Sequence, residues 1–580
     1  MLRKFILCAL LLLVGIAPTE ARKKTVSLRI LETSDMHGRF FPTDPVTGKP
    51  QAGTLARICT YVDSLRQIYG DRLILLDNGD ILQGTPGNYY SNYVDTAEVN
   101  IGAAVVNYLR YDAQGVGNHD VETGHAVYDK WIKALHCPVL GANIIDRKSG
   151  KPYVKPYVIF EREGVRIAVL GMLTPAIPNW LKESLWSGLA FEEMTASARK
   201  WIKYLKEHER PDIIVGLFHS GKDGGIKTPE YDEDATWKVA TEVEGFDLIF
   251  YGHDHTRFAG QAMTPSGRQI WLLDPTNNAR YVADAEITVT RKGRKITAID
   301  INGQTADICD KRPDEAYVRH FTPFVNKVSD YTGRRIGTFL QPMYMRDCFF
   351  GNSAFADFIH ALQLRITGAD VSFNAPLALN TVIPAGDVTT GDMFNLYRFE
   401  NQLYTMRLTG EEIRRHLEMS YDLWVNTMTS ADDHILALNP RTVNDMQRYG
   451  FKNLTFNFDS AAGIDYEVDV TRPDGEKVRI LRLSDGRPFD EKAWYRVAMN
   501  SYRGNGGGEL LTKGAGIPKD SLQGRILWES DRDLRYYLMK EIEKADTLSP
   551  QAGHNWRFVP EEWAKPALER DRELLFPKTR

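Results

Sequence analysis

The sequence predicts an α/β layered domain followed by a second domain of α+β type, and three observations carry that reading. The first half alternates short β-branched runs with helical segments such as Leu55 to Tyr69, Gly124 to Leu135 and Ala196 to His208. Its strand-like runs end, one after another, in carboxylate, imidazole and amide side chains. The second half continues with helices and alternating strands but has none of these ligand-rich strand ends. At 580 residues the chain is also too long for one ordinary core, so at least two domains are expected.

Composition narrows the class. Hydrophobic residues at 43% and charged residues at 26% fit a soluble globular protein rather than a disordered or membrane one. Lys+Arg at 72 nearly balance Asp+Glu at 76, and no long basic run suggests a groove for a nucleic-acid polymer. Any anionic substrate must be held by local groups.

At the N-terminus, Arg3 and Lys4 precede the apolar run Phe5 to Ala17 and then Thr19-Glu20-Ala21. This predicts a signal peptide over residues 1–21, cleaved after Ala21 and too short for a stable membrane span. Cys8 lacks the small-residue context of a lipoprotein cleavage site, so a periplasmic or secreted protein without a stable membrane anchor is expected. Cys59, Cys137, Cys309 and Cys348 would then be open to oxidation in three possible pairings, with buried free thiols as the alternative.

The run Tyr111 to Val116 leads into Gly117-Asn118-His119-Asp120, the centre of the pattern. Ser27 to Leu31 leads into Asp35 and His37, and Leu73 to Leu76 into Asp80. Ile213 to Leu217 leads into His219, and Leu248 to Tyr251 into His253 and His255. Mixed oxygen and nitrogen donors delivered from several strand ends describe a polynuclear metal centre on loops beyond the strands, where such sheets place their sites.

Pro313-Asp314-Glu315 opens a helix ending near Gly333, expected to connect the domains; the alternative is one more surface helix of the first. Beyond it come a helix from Ala354 to Ile366, a strand from Asp370 to Phe373, a helix from Thr409, and strands from Gly463 to Val470 and Val478 to Leu483. The mixed composition of Tyr421 to Tyr449 suggests an insertion or long loop.

The stretches "ILETSDMHGRF", "LLDNGDILQGTP", "GNHD", "LFHSG" and "YGHDH", in that order, resemble the calcineurin-like metallophosphoesterase domain of secreted nucleotidases. "IPAGDVTTGDMFNLYRFENQLYTMRLTGEEI" and "NSYRGNGGGE" resemble the C-terminal nucleotide-binding domain of that family. The likeness is greater to 2′,3′-cyclic-nucleotide 2′-phosphodiesterase/3′-nucleotidases than to 5′-nucleotidase/UDP-sugar hydrolases, which stand as the alternative. It implies an αββα sandwich over residues 22–312, a linker helix over 313–335 and a substrate-binding domain over 336–580.

The resemblance further implies one metal at Asp35, His37, Asp80 and His255 and another at Asp80, Asn118, His219 and His253, with Asp80 shared. Two divalent ions, drawn from Zn, Mn, Fe and Co, would neutralise a phosphate ester and lower the pKa of a bound water. His119 matches the family histidine that contacts the phosphoryl group, with Glu122 or Asp120 as its acidic partner. Phe399 and Tyr502 match the two aromatics that sandwich the nucleobase. The segment Ser372 to Thr381 lacks the phosphate-binding arginine of the 5′-nucleotidase branch, leaving Arg346, Arg503 and Asn374 as candidates to meet phosphate or ribose. The expected partner is a small nucleotide substrate, bound by a monomeric protein. A non-nucleotide ester or sulfur substrate, or a non-catalytic binding role, fits the aromatic pair and the full ligand set less well.

Overall fold

The computed structural model describes residues 23–577 apart from residues 294, 398 and 440–449, so the expected signal peptide lies outside the described residues. In chain order the first half contributes β1 (Lys23–Thr33), β2 (Leu73–Asp77), β3 (Ala113–Gly115), β4 (Val139–Leu140), β5 (Tyr157–Arg162) and β6 (Val165–Leu173). There follow β7 (Ile213–His219), β8 (Leu248–Tyr251), β9 (Phe258–Met263), β10 (Gln269–Asp274), β11 (Tyr281–Lys292) and β12 (Lys295–Asp307). They form two six-stranded sheets, ordered β12-β11-β1-β2-β3-β4 and β9-β10-β8-β7-β6-β5.

Side chains alternate across each strand, and this sorts the apolar residues into three cores. Ile74 and Leu76 of β2 meet Val215 and Leu217 of β7 between the sheets. Leu73 and Leu75 face the other way, onto Leu55, Ile58 and Val62 of the helix Leu55–Tyr69. Ile214 and Phe218 face outward onto Met194, Ala198 and Ile202 of the helix Met194–Tyr204. The result is a helix, sheet, sheet, helix sandwich in which each fully buried Leu or Ile contributes about 1.5–3 kcal/mol.

Strand direction then positions the site. β1 to β4 are parallel, as are β6, β7, β8 and β10. Their C-terminal ends therefore open onto one edge of the sandwich. Asn78, just beyond β2, joins the two sheets there: its backbone N–H donates to Thr33 O at 2.8 Å and its side-chain amide to Phe218 O at 2.9 Å.

The connecting helix runs Glu315–Gly333, capped by Asp314, whose carboxylate accepts the Tyr317 N–H at 2.7 Å. Tyr317 and Phe321 are buried in the first domain's outer core beside Phe41 and Tyr108. The linker is thus also a packing element of the first domain, which combines the two readings weighed from sequence.

In the second half a five-stranded sheet is built from β13 (Val371–Asn374), β14 (Gln402–Thr409), β15 (Ser460–Ala462), β16 (Trp494–Asn500) and β17 (Ile526–Asp533), in the order β15-β13-β16-β14-β17. The helix Gly410–Trp424, opened by a capping box of Thr409 and Glu412, covers one face. The helices Ala354–Thr367 and Leu534–Ala545 cover the other. The segment from Tyr421 corrects the expectation of an insertion: Tyr421 and Trp424 end that helix, stacked at 5.1 Å. Met428, Ile435 and Leu436 beyond it are buried. Its polar content suggested a loop, but its apolar residues belong to the core; residues 440–449 lie outside the described residues.

The four cysteines described are free thiols, with Cys59 and Cys348 buried. Among the described residues no helix is long and apolar enough to cross a membrane.

The halves meet along the segment Asn179 to Lys182. Lys519 Nζ donates to Asn179 O at 2.7 Å, Asn505 Nδ2 to Trp180 O at 3.3 Å, and Lys182 pairs with Glu529. Tyr89 donates to Asp533 at 3.0 Å on the other side.

Arg503, a candidate for phosphate or ribose, is instead buried inside the second domain. Its guanidinium pairs with Asp459 at 2.9 and 3.1 Å and donates to Phe456 O at 2.7 Å and Gly507 O at 2.5 Å. His416 Nε2 lies 2.8 Å from the same carboxylate. Against burial, Arg503 and His416 hold Asp459 below the usual carboxylate range. Replacing Asp459 by Ala strands a buried guanidinium, so Asp459→Ala is expected to lower stability by about 3–5 kcal/mol in urea unfolding.

Candidate metal centre

The loops after β1, β2 and β8 and the last residue of β7 bring Asp35, His37 and His255, and Asp35, Asp80 and His219, into two ligand groups that share Asp35; His253 lies beside them with Glu233 and Asp234, and Asn118 comes from the turn after β3. Asp35 Oδ2 is satisfied by Ser34 Oγ at 2.5 Å and His253 N–H at 3.0 Å. Its Oδ1 has no hydrogen-bond donor and lies 3.4 Å from His255 Nε2 and 4.0 Å from both His37 Nε2 and His219 Nε2. Asp80 Oδ1 accepts the His119 N–H at 2.8 Å. Its Oδ2 stands between His219 Nε2 at 3.3 Å and His37 Nε2 at 3.9 Å.

The nitrogens point to what this arrangement accommodates. His219 Nδ1 donates to Asn78 O at 2.9 Å, so its Nε2 presents a lone pair to Asp80 and, at 3.1 Å, to Asn118 Oδ1. His37 Nε2 and His255 Nε2 converge to 3.0 Å. Burial and His255 push His37 down to about 3, leaving its lone pair unprotonated. Against burial, Asp80 and Asp35 push His219 up to about 9, which marks the space before its Nε2 as strongly favourable to positive charge. Lone pairs and an unpaired buried carboxylate oxygen aimed at common points fit divalent cations with mixed O and N ligation.

The backbone is bent to make these loops. Asp35, His37, Asp80, His253 and His255 all have positive φ, between 44° and 83°. Side chains other than glycine avoid this region, and the clustering of five such residues marks a functional site. Two glycines make the close approaches possible. A Cβ on Gly117 would stand 2.1 Å from Asp80 Oδ1, and one on Gly252 2.4 Å from Asp35 Oδ2.

His119 opens the short helix Asn118–Glu122, and its Nδ1 lies 2.5 Å from Glu122 Oε2. Burial opposes its charge, but Asp80 and Glu122 outweigh it and push the imidazole up to about 10. Asp120, the other candidate partner, points elsewhere. Its carboxylate accepts the N–H groups of Asp80, Ile81, Leu82 and Gly117 at 2.8–3.0 Å, lacing the two ligand loops together.

Beside the cluster a cavity of about 410 Å³ runs between the domains, walled by Asn118, His119, Glu122, Trp180, Glu233 and His253 on one side. On the other stand Tyr502, Phe456 and Asn505, then Glu400, Asp531, Arg532 and Asp533. Tyr502 and Phe456 meet edge to face at 6.0 Å. Phe399, expected as the second base platform, packs half-buried on the core that contains Phe339, Phe355 and Tyr397, and its chain neighbours Glu400 and Asn401 line the cavity. Arg346 lies over the rings of Tyr344 and Phe576, and Asn374 is buried in β13; neither reaches the cleft. Phe456, Trp180 and Glu233 were not anticipated. Glu233 had one sequence signal, the acidic run Asp232-Glu233-Asp234 after "LFHSG", while the two aromatics had none.

Residues 28–257 match the calcineurin-like phosphoesterase family and residues 333–513 the C-terminal domain of 5′-nucleotidases. The chain is 24% identical to a Yersinia enterocolitica 2′,3′-cyclic-nucleotide 2′-phosphodiesterase/3′-nucleotidase, over 96% of its own length and 92% of that protein's. It is 27% identical over 93% of its length to a Bacillus subtilis trifunctional nucleotide phosphoesterase, of which it spans 39%. Its fold is that of a Staphylococcus aureus protein crystallised with alpha-ketoglutarate, at a TM-score of 0.76 and 20% identity, covering 92% of this chain and 100% of that one. Fold and cluster together define a metallophosphoesterase, a hydrolase of phosphoric esters. The chain belongs to the 5′-nucleotidase family, with the metallophosphoesterase domain first, and is a nucleotide phosphoesterase.

Asp80→Asn keeps the shape but removes the negative charge of the carboxylate that stands between His219 and His37. It is expected to lower bound metal in elemental analysis and activity by orders of magnitude; two retained ions with full turnover would remove Asp80 from the centre.

Proposed function

We propose that the protein hydrolyses 2′,3′-cyclic nucleotides and 3′-nucleotides outside the cytoplasm, in nucleotide and phosphate salvage. One observation supports this most: a single cavity joins the Asp and His cluster to the aromatic wall of the second domain, while the segment Ser372 to Thr381 brings no arginine to it. The relative matched over nine-tenths of both chains carries this activity in its name. The apolar run Phe5 to Ala17 supports export.

In this reading Asp35, His37, Asp80 and His255 hold one cation and Asp80, Asn118, His219 and His253 the other. Two such ions supply neutralisation of the phosphoryl charge and activation of water. The second domain stacks the base on Tyr502, with Phe456 beside it in place of Phe399. His119 faces the cleft as an imidazolium held at Nδ1 by Glu122. When water attacks phosphorus and the bond to the 2′ oxygen breaks, the leaving oxygen takes the proton of His119 Nε2. A positioned acid of this kind contributes roughly 10²–10⁴-fold. Asp120 acts only through the loops it joins.

The charged form of His119 persists until pH rises through its raised pKa. Removing the Glu122 charge lowers that pKa, so Glu122→Gln should move the alkaline limb of kcat/KM to lower pH. A limb that stays in place would assign the proton to another group.

The substrate reading is tested by kcat/KM of metal-loaded protein for 2′,3′-cAMP, 3′-AMP, 5′-AMP and UDP-glucose. The first two are expected to exceed 5′-AMP by about tenfold or more, the effect of one missing charge-assisted contact. A higher value for 5′-AMP would favour a 5′-nucleotidase/UDP-sugar hydrolase.

A further inference from the structure

We propose that Glu233 is the positioning residue of His253, holding its ring by Nε2 so that Nδ1 is the nitrogen turned to the cation cluster. The inference rests on reading that cluster as a cation site. Three of the four imidazoles offer Nε2: His37 and His255 converge through it, and His219 frees it by donating Nδ1–H to Asn78 O. His253 departs from this pattern. Its Nε2 lies 3.1 Å from Glu233 Oε1, and its ring centroid is 5.4 Å from that of His219. With one nitrogen committed to a carboxylate, only Nδ1 remains as a donor to a metal.

Glu233 is built to hold that contact. It stands on the strand Asp232–Asp234, which pairs with Gly224–Lys227 in a hairpin following His219. Its second oxygen accepts the Ile226 N–H at 2.6 Å. Its backbone carbonyl accepts the hydroxyls of Ser220 at 2.7 Å and Thr174 at 2.9 Å. The neighbouring Asp234 is farther from Nε2, at 3.9 Å, and its Oδ1 already accepts the Gly221 N–H at 2.9 Å. On the opposite side Trp180 lies against the His253 ring at 5.6 Å. A carboxylate behind a ligating imidazole fixes its tautomer and raises the basicity of the other nitrogen, and loss of such a partner typically costs 10–100-fold in metal affinity.

The test is metal retention by the full chain under graded chelator, with ions counted by elemental analysis, for wild type, Glu233→Ala, Glu233→Gln and Asp80→Asn. Glu233→Ala is expected to release one of two ions at 10–100-fold lower chelator strength. Glu233→Gln, whose amide oxygen still accepts from Nε2, should recover part of that loss. Because Glu233→Ala also loses the Ile226 contact, the control is Glu233→Gln: its metal-stripped unfolding temperature should match wild type, separating positioning from general destabilisation. Wild-type retention in Glu233→Ala overturns the proposal, as does a wild type with three ions that drops to two, which makes Glu233 a ligand itself. A lower unfolding temperature in stripped Glu233→Ala that Glu233→Gln shares, with equal metal loss, overturns it too. If Asp80→Asn keeps both ions at wild-type affinity, the cation-site reading fails on its own account.

Discussion

Burying Asp35 and Asp80 side by side is the constraint to which the first domain conforms. Two carboxylates withdrawn from water lose several kcal/mol of hydration each, and only a full set of donors can offset that loss. The hydroxyl of Ser34 and the N–H groups of His253 and His119 satisfy one oxygen of each, while Asp35 Oδ1 and Asp80 Oδ2 face the imidazoles of His37, His219 and His255, where cations would complete the compensation. No single loop could do so, which is why parallel strands ending at one edge are needed. Asp120 and Asn78 then lock the loops to one another, so that each ligand's place depends on the others.

What could be read from the residues follows from range. A strand ending in Asp-x-His or His-x-His is a local pattern, and its meaning came from repetition along the chain. The alternation of Leu73 to Leu76 likewise announced both faces of β2. Glu122 lay one turn from His119 and so was within reach as its partner, but Asp120 was equally near in sequence. Only the backbone shows that Asp120 sits at the third position of a helix and satisfies N–H groups from another loop. Arg503 was misjudged because an arginine after an aromatic in a glycine-rich turn reads as exposed; nothing local reveals Asp459, 44 residues away. Phe456 and Trp180 face the cleft through folding alone, without a motif, and Glu233 had only the acidic run around it.

The Asp and His cluster and the aromatic wall lie in different halves, and the cleft exists only where they meet. The segment Asn179 to Lys182 belongs to the metal domain yet hydrogen-bonds the turn that carries Asn505, three residues beyond Tyr502. The aromatic wall and the ligand loops are therefore registered through a few backbone carbonyls. The buried trio of His416, Asp459 and Arg503 stiffens the same turn from behind. An arginine that never touches substrate thus determines where Tyr502 stands.

The five Asp and His residues held in left-handed backbone make the centre a reservoir of strain. At roughly 1–3 kcal/mol for each such conformation, the ligand loops hold energy comparable to the whole net stability of an ordinary domain. Any ion that binds the folded loops and not the unfolded chain adds its binding free energy to folding. Ion binding and the shape of these loops are therefore coupled, and the cost of the bent backbone is offset where a cation joins the strand ends.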